Sequence, residues 1–350
     1  MKAQLKSKLN PENRSVLQDI IPLETPFLLY VDPSSACNFK CEFCPTGHVD
    51  LVRGANYKRR VLSLELFEKF VRDLEAFSSP IRVLRMNKIG EPLLNKHLPQ
   101  MIRLAKESGR VGSIDLATNA SLFTPVLLEA IIDAGLDRLN ISLEGINAAQ
   151  YRQHAKVEVD FEAITASIRW LHNHRGHCEI TIKAPEDYLN DEQKKAFFDT
   201  FGNYCDRIFL ERLSPIWPGF DMESRVMNFV PANSSGQYGQ KIETKQVCTY
   251  IFYAMALNAD GTVSACCPDW GQKLVVGDLH DTSLKEIWNS PAMHALRLQH
   301  LKGRRHDNEV CRNCGHIAHS QIDDIDPWRE SLLENYLAHF PEASPPSPSI

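Results

Sequence analysis

The run Phe27-Leu-Leu-Tyr-Val-Asp32 and, five residues further on, Cys37-Asn-Phe-Lys-Cys41-Glu-Phe-Cys44 set the frame for the whole chain. The first is a short β-rich run, and the second is the loop that directly follows it. Three thiolates on one short loop can hold three corners of a 4Fe-4S cluster and leave one iron without a protein ligand. Spacing alone also allows zinc, because cysteine positions do not by themselves name the metal.

Further β-rich runs recur at Ile81–Asn87, Ser113–Thr118, Arg138–Leu143, Cys178–Ala184 and Arg207–Glu211, six in all with the first. Helical periodicity fills the gaps. Leu66, Phe67, Phe70, Val71 and Leu74 recur at helical spacing in a predicted helix Leu64–Phe77, with Ser63 as its N-cap. Helices are also predicted over 96–108, 124–134 with Pro125 at its first position, 161–174 and 191–201. Strand alternating with helix implies parallel strands joined by crossovers. Six such units make an incomplete barrel with its chemistry at the carboxyl ends of the strands.

After Glu211 the pattern breaks. Residues 212–247 contain Pro215, Pro218 and Pro231 among Gly, Ser and Asn, and read as a linker with little regular structure. Tyr250–Leu257 and Thr262–Cys267 flank Asn258-Ala259-Asp260-Gly261, a β-hairpin signal, and one helix is predicted from about Ser283 to Leu301. The ending PEASPPSPSI has the composition of a disordered tail. The expected division is an N-terminal extension 1–24, a barrel 25–211, a linker 212–247, a small cysteine-bearing domain 248–320, and a C-terminal helix with its tail 321–350.

Composition supports this and excludes alternatives. With 43% hydrophobic and 24% charged residues the chain is an ordinary globular protein. A formal net charge of -5 argues against nucleic acid, since binders that displace counterions from phosphates carry basic surfaces. Neither an apolar leader nor a run of the roughly 18 apolar residues needed to cross a bilayer is found, so the expectation is a cytoplasmic protein without a membrane partner. In a reducing compartment, clustered members of the ten cysteines read as metal ligands before disulfides.

The CxxxCxxC spacing, with the aromatic Phe43 before the last cysteine, resembles the signature of the radical S-adenosylmethionine (SAM) superfamily over about residues 25–211. Three further places fit that resemblance. Gly90-Glu91-Pro92 after the second strand resembles the family's GGEP motif, with Ile89 in place of the first glycine. Thr118-Asn119 ends the third strand, and Ser142-Leu-Glu144-Gly145 ends the fourth. The resemblance implies that Cys37, Cys41 and Cys44 hold a cluster whose open iron binds SAM, which is cleaved reductively to a 5′-deoxyadenosyl radical. It implies SAM contacts from Phe43, Gly90, Glu91, Asn119, Ser142 and Glu144. A carboxylate at Glu91 complements an ammonium, Ser142 and Glu144 can bond ribose hydroxyls, and Phe43 offers adenine a flat apolar face. Phe39 reads as packing.

A second group follows: Cys248, Cys266, Cys311 and Cys314. Four thiolates would close every corner of a second cluster. Their arrangement resembles the twitch domain, the short relative of the SPASM domain, and in spacing the layout of 2-deoxy-scyllo-inosamine dehydrogenase. Cys311-Arg-Asn-Cys314 alone would also suit zinc. Cys267 is adjacent to Cys266, and alternation along a strand sends the two side chains to opposite faces, so only one can be a ligand, with Cys266 favoured on spacing. Cys267 then reads as a core thiol or a hydrogen-atom donor, and Cys178 and Cys205 as buried structural thiols.

The fold class that follows is α/β, a partial (βα)6 TIM-like barrel with a small C-terminal α+β auxiliary iron–sulfur domain. The expected function is radical oxidation of an alcohol to a ketone on a small hydroxylated substrate, such as a cyclitol, aminosugar or sugar nucleotide. The auxiliary cluster accepts the electron, and the cofactors are two 4Fe-4S clusters and SAM. A flavodoxin- or ferredoxin-type electron donor is the implied protein partner. Alternatives are epimerisation with Cys267 as hydrogen donor, modification of a precursor peptide, and a non-enzymatic electron-transfer protein. The short stretch before the first strand lowers the peptide reading. Tyr151, Arg152 and His48 are candidate substrate bases, and His316 and His319 flank the last cysteines as candidate supports for the cluster ligands.

Overall fold

A computed structural model describes residues 1–7, 14–55, 57–231 and 234–341. Its strands, in chain order, are β1 (Gln4–Leu5), β2 (Leu28–Val31), β3 (Ile81–Arg85), β4 (Val111–Thr118), β5 (Arg138–Ser142), β6 (Glu179–Pro185), β7 (Arg207–Glu211), β8 (Ala254–Leu257), β9 (Thr262–Ser264) and β10 (Val275–Asp278). From β2 to β7 each strand pairs in parallel with the next, in chain order. Helices Leu64–Asp73, Leu98–Glu107, Pro125–Asp133, Phe161–His174 and Asp191–Phe201 supply the five crossovers. This is the expected open (βα)6 barrel.

Local chemistry explains the helix starts. Ser63 accepts from the Leu66 N–H at 3.2 Å, Thr124 accepts from Leu127 ahead of Pro125, and Asn190 forms a capping box with Gln193. The strands alternate sharply. On β5, Leu139 and Ile141 are buried in the hydrophobic core, whereas Arg138, Asn140 and Ser142 line an inner cavity. On β6, Ile180 and Ile182 are core, and Glu179, Thr181 and Lys183 point into the same space. The helices therefore cover an apolar outer face, and the inner face is polar.

Both edges of the six-stranded unit are extended, giving a sheet of order β1-β7-β6-β5-β4-β3-β2-β8-β9-β10. β1 adds in parallel beside β7, so part of the expected N-terminal extension belongs to the barrel sheet. β8 adds in parallel beside β2, from Leu28↔Ala254 to Val31↔Leu257, then turns back antiparallel into β9 and β10. The cysteine-bearing region thus continues the barrel sheet.

Several expectations are corrected. Tyr250–Tyr253 is a helical turn before β8, and β9 stops at Ser264, so Cys266 and Cys267 lie in the turn beyond it. The helix predicted over 283–301 is two helices, Leu284–Trp288 and Pro291–Leu301, because Ser290 caps a new start and Pro291 cannot continue the old one. Residues 212–247 are more than a linker: Asp221 caps a short helix, Met222–Arg225, and Leu213, Phe220, Met222 and Val226 form a separate apolar cluster. The C-terminal helix is present as Arg329–His339, with Leu332 and Tyr336 buried, while the predicted disordered tail falls almost wholly outside the described residues.

One close approach seats the cysteine loop on the barrel. A Cβ on Gly90 would lie 2.0 Å from the Ser34 carbonyl oxygen and 2.4 Å from that of Ala36, and the Glu91 N–H donates to the Ala36 carbonyl at 2.9 Å. Only glycine lets the loop after β3 lie this close to the backbone that leads into Cys37. Gly90→Ala is therefore expected to destabilise the protein by roughly 3 kcal/mol through overpacking against rigid backbone. Urea unfolding monitored by circular dichroism checks it, and an unchanged midpoint would show that the loop can move aside.

Candidate functional site

Cys37, Cys41 and Cys44 stand close enough at the carboxyl end of β2 for Cys44 to raise the pKa of Cys37 and for both to raise that of Cys41. Burial is the larger cause, and it pushes Cys37 up to about 12 and Cys41 and Cys44 up as well. Such thiols need a metal to draw off their protons. The loop is pinned throughout. The Phe39 N–H donates to Cys37 Sγ at 3.4 Å, Cys44 Sγ meets Thr46 Oγ1 at 3.2 Å, and a Cβ on Gly47 would lie 2.5 Å from the Cys41 carbonyl oxygen. Phe39 is buried edge-on against Tyr151 at 5.8 Å, as expected of a packing residue.

The neighbouring strand ends bind this loop and one another. Glu91 is 2% exposed and accepts from Thr118 Oγ1 at 2.7 Å, the Asn119 N–H at 2.9 Å and the Leu93 N–H at 3.0 Å. Burial raises its pKa and these donors oppose the rise. The side chain of Asn119 donates to Asn38 Oδ1 at 2.9 Å, tying the end of β4 to the cysteine loop. Glu144 Oε2 and Asp32 Oδ1 are buried without a partner among the described residues. Burial pushes Glu144 up to about 7 and Asp32 to about 6, with Lys183 and Lys88 respectively pulling the other way. The unpartnered carboxyl oxygen of Glu144, which acts on all three thiols, suits a ligand rich in N–H and O–H donors, as SAM is.

Below lies a cavity of about 560 Å³ inside the barrel. Phe43, Ser142 and Glu144 are in its wall, together with inward residues of all six barrel strands. The charges on its strands β3 to β7 are paired. Asp115 bridges Arg85 at 3.1 Å and Arg138 at 2.6 Å, Glu179 meets Arg207 at 2.9 Å, and Lys183 pairs with Glu211, which also accepts from Gln237 at 2.9 Å. Leu213, Trp217, Met222 and Tyr238, all from the segment read as a linker, close one side. The three candidate bases lie elsewhere. His48 is held between the Glu42 carbonyl at 2.8 Å and Arg225 at 3.3 Å, Arg152 points outward beside Glu158, and Tyr151 is fully buried in the core.

The second cysteine group also comes together. Cys248, Cys266, Cys311 and Cys314 line one pocket, and Cys267 lines the barrel cavity instead. Burial raises the pKa of all four pocket thiols, to about 12 at Cys314, and nearby thiols of the group add to the rise at Cys266, Cys311 and Cys314. Gln321 Nε2 donates to Cys248 Sγ at 3.2 Å and also meets His316 Nδ1 at 3.1 Å. His300 and Arg305 line the pocket too, and burial beside Arg305 lowers His300 to about 3, which keeps it neutral. Among the described residues no three His, Cys, Asp or Glu side chains are drawn together around a single ion. Tyr250, Pro268 and His316 line both spaces and form the wall between them. Cys178 and Cys205 are buried structural thiols in the core. No helix among the described residues is long and apolar enough to cross a membrane.

Sequence reasoning missed the inward polar row, although its signal was there: polar residues at alternate positions of β5 and β6 and at both ends of β7, in strands whose other residues are apolar. Gln321, His300 and Arg305 carried no local signal, because only the fold brings them to the cysteines.

Residues 31–186 match the radical SAM superfamily and residues 248–315 match the SPASM iron–sulfur cluster-binding domain. A tungsten-containing aldehyde ferredoxin oxidoreductase cofactor-modifying protein from Pyrococcus furiosus is 23% identical over 298 residues, 75% of this chain and 80% of its own. GTP 3′,8-cyclase of Rhizobium meliloti is 30% identical over 150 residues, which are 39% of this chain and 41% of the cyclase. In structure the chain resembles BtrN in complex with AdoMet and 2-DOIA, with a TM-score of 0.53, 18% identity, and coverage of 85% of this chain and 96% of BtrN. It also resembles SuiB of Streptococcus suis bound to S-adenosylmethionine, with a TM-score of 0.59, 18% identity, and coverage of 87% of this chain and 74% of SuiB. At such identities the structural likeness is one of fold.

Two outcomes are expected. After anaerobic reconstitution, Cys266→Ala should lose about four irons per chain and Cys267→Ala none, by iron and sulfide analysis. Glu144 has a folded pKa above its ordinary value, so the folded state holds the extra proton between about pH 4.5 and about 7. Its contribution to stability is therefore full below that window and is lost as pH rises through it. Relative to wild type, cofactor-free Glu144→Gln should gain on the order of 3 kcal/mol between pH 4.5 and 8 in urea unfolding. A constant difference across pH would refute it.

Proposed function

We propose that this chain, a radical SAM enzyme with a SPASM-type iron–sulfur domain, oxidises a hydroxyl-bearing carbon of a small polar substrate held in the barrel cavity. Cys37, Cys41 and Cys44 would hold one 4Fe-4S cluster, and Cys248, Cys266, Cys311 and Cys314 a second. When bound, the first cluster with SAM supplies a carbon radical able to remove a hydrogen atom, and the second supplies a one-electron acceptor.

The observation that carries the reading is the position of the cavity. It reaches Phe43 and Glu144 beside the first cysteine loop and shares Tyr250, Pro268 and His316 with the second cysteine pocket. A substrate there lies between the two groups. Asn140, Thr181 and Gln237 offer hydrogen bonds to hydroxyl or amino groups, and the polar wall disfavours an apolar ligand. Glu211, held by Lys183 and Gln237, is a carboxylate inside the cavity that can take the hydroxyl proton. Glu144 would bond SAM ribose hydroxyls, and the Glu91–Thr118–Asn119 group would keep the loop in register with the strand ends.

Cys267 favours a second reading. Because it lines the cavity, its thiol could give a hydrogen atom to the opposite face of the substrate carbon radical and form an epimer, and one electron from the second cluster in its reduced form together with one proton would restore the thiol. One experiment separates the two. With cyclitols, aminosugars or sugar nucleotides deuterated at the hydroxyl-bearing carbons, oxidation should place deuterium in 5′-deoxyadenosine and yield a keto product, and Cys267→Ala should still turn over. Loss of net turnover in Cys267→Ala with continued SAM cleavage would establish epimerisation. Absence of deuterium transfer from every substrate would reject both.

A further inference from the structure

Two buried N–H groups belong to the four-cysteine pocket and have no acceptor among the described residues. His300, on helix Pro291–Leu301, is fully buried, and its Nδ1 accepts from the Cys248 backbone N–H at 3.1 Å. A neutral imidazole that accepts at Nδ1 carries its proton on Nε2. That Nε2 has no partner among the described residues. Arg305 is 7% exposed, and its Nη1 donates to the Cys311 carbonyl while its Nη2 meets His306 Nε2 at 3.1 Å. Its Nε–H also lacks an acceptor among the described residues.

Both side chains line the pocket with Cys248, Cys266, Cys311 and Cys314, and among the described residues no carboxylate side chain lines it. A buried donor left unpaired is costly, and a folded protein rarely directs two of them at one place without an acceptor between. The sulfur atoms of a thiolate-bound cluster are such acceptors. Hydrogen bonds to those sulfurs, with a guanidinium charge close by, favour the more negative, reduced form.

We infer that His300, through Nε2–H, and Arg305, through Nε–H and its charge, raise the reduction potential of the cluster in this pocket and so make it a better electron acceptor. The inference rests on the two-cluster reading above and adds what tunes the second cluster. Both are positioning residues, which act through the cluster and do not touch substrate. They come from outside the CxxC segment and from different turns of the chain, so the tuning depends on the folded domain.

The test uses the full chain with Cys37, Cys41 and Cys44 replaced by Ala, so that only the second cluster is read, by EPR-monitored redox titration alongside iron counting. The parent should bind about four irons. His300→Asn keeps an acceptor for the Cys248 N–H and removes the donor. At a fixed poise its ratio of reduced to oxidised cluster should fall about tenfold, a shift of ~59 mV for one electron. Arg305→Lys should shift the same way, and His300→Gln, whose amide N–H reaches the Nε2 position, should restore most of the parent value. Iron kept by His300→Gln but lost by His300→Asn would also support the donor role. Unchanged potentials in iron-replete His300→Asn and Arg305→Lys overturn the inference, as does loss of iron from both His300 variants. A parent that binds no iron rejects the two-cluster reading itself, and the inference with it.

Discussion

Charges that point inward from a parallel sheet must find partners, and that requirement shapes the barrel. In a closed barrel the interior is packed with apolar side chains. Here Asp115 bridges Arg85 and Arg138, Glu179 meets Arg207, and Lys183 meets Glu211, so the inner face is satisfied from within the sheet. These ion pairs are partly buried and add little net stability over an apolar filling, but removing the partners of the buried Asp115 leaves a costly unpaired charge. What they provide is an open polar space whose walls cannot collapse onto each other.

The two cysteine groups use that space from different sides. The first sits on a loop locked by Gly90 against the Ser34 and Ala36 carbonyls, and by Glu91 through Thr118 and Asn119. The second is assembled from three separate points of the chain around a pocket behind Tyr250, Pro268 and His316. The parallel pairing of β8 with β2 brings the second group near the first, since one continuous sheet carries both. Adjacent cysteines in the turn after β9 divide between the two spaces, Cys266 to the pocket and Cys267 to the barrel cavity.

Much of this was legible in the chain itself. The six strands and five helices of the barrel follow from periodicity and caps, with Phe161–His174, Asp191–Phe201 and Arg207–Glu211 observed at the predicted limits. Two helix and strand readings failed because a local rule was overlooked or overridden. Ser290-Pro291 marks a new helix start inside an apolar run, and Tyr250–Tyr253, though β-rich in composition, winds into a turn that leads from Cys248 to β8. The segment 212–247 looked like a linker by its prolines, yet its apolar residues Leu213, Phe220, Met222 and Val226 cluster and cover the barrel mouth beside Phe43.

By itself the sequence determined the cysteine loop after the first strand and the alternation that makes a parallel sheet. Each depends on residues only a few positions apart, where backbone geometry translates spacing into direction. The tertiary structure alone decided that His48, Tyr151 and Arg152 lie away from the cavity, that Glu211 and Lys183 lie inside it, and that His300 and Arg305 line the pocket of the second set of thiols. Those placements depend on which distant segments pack together, and burial, partner and charge at a site are properties of the packed neighbours, which no local pattern of residues encodes.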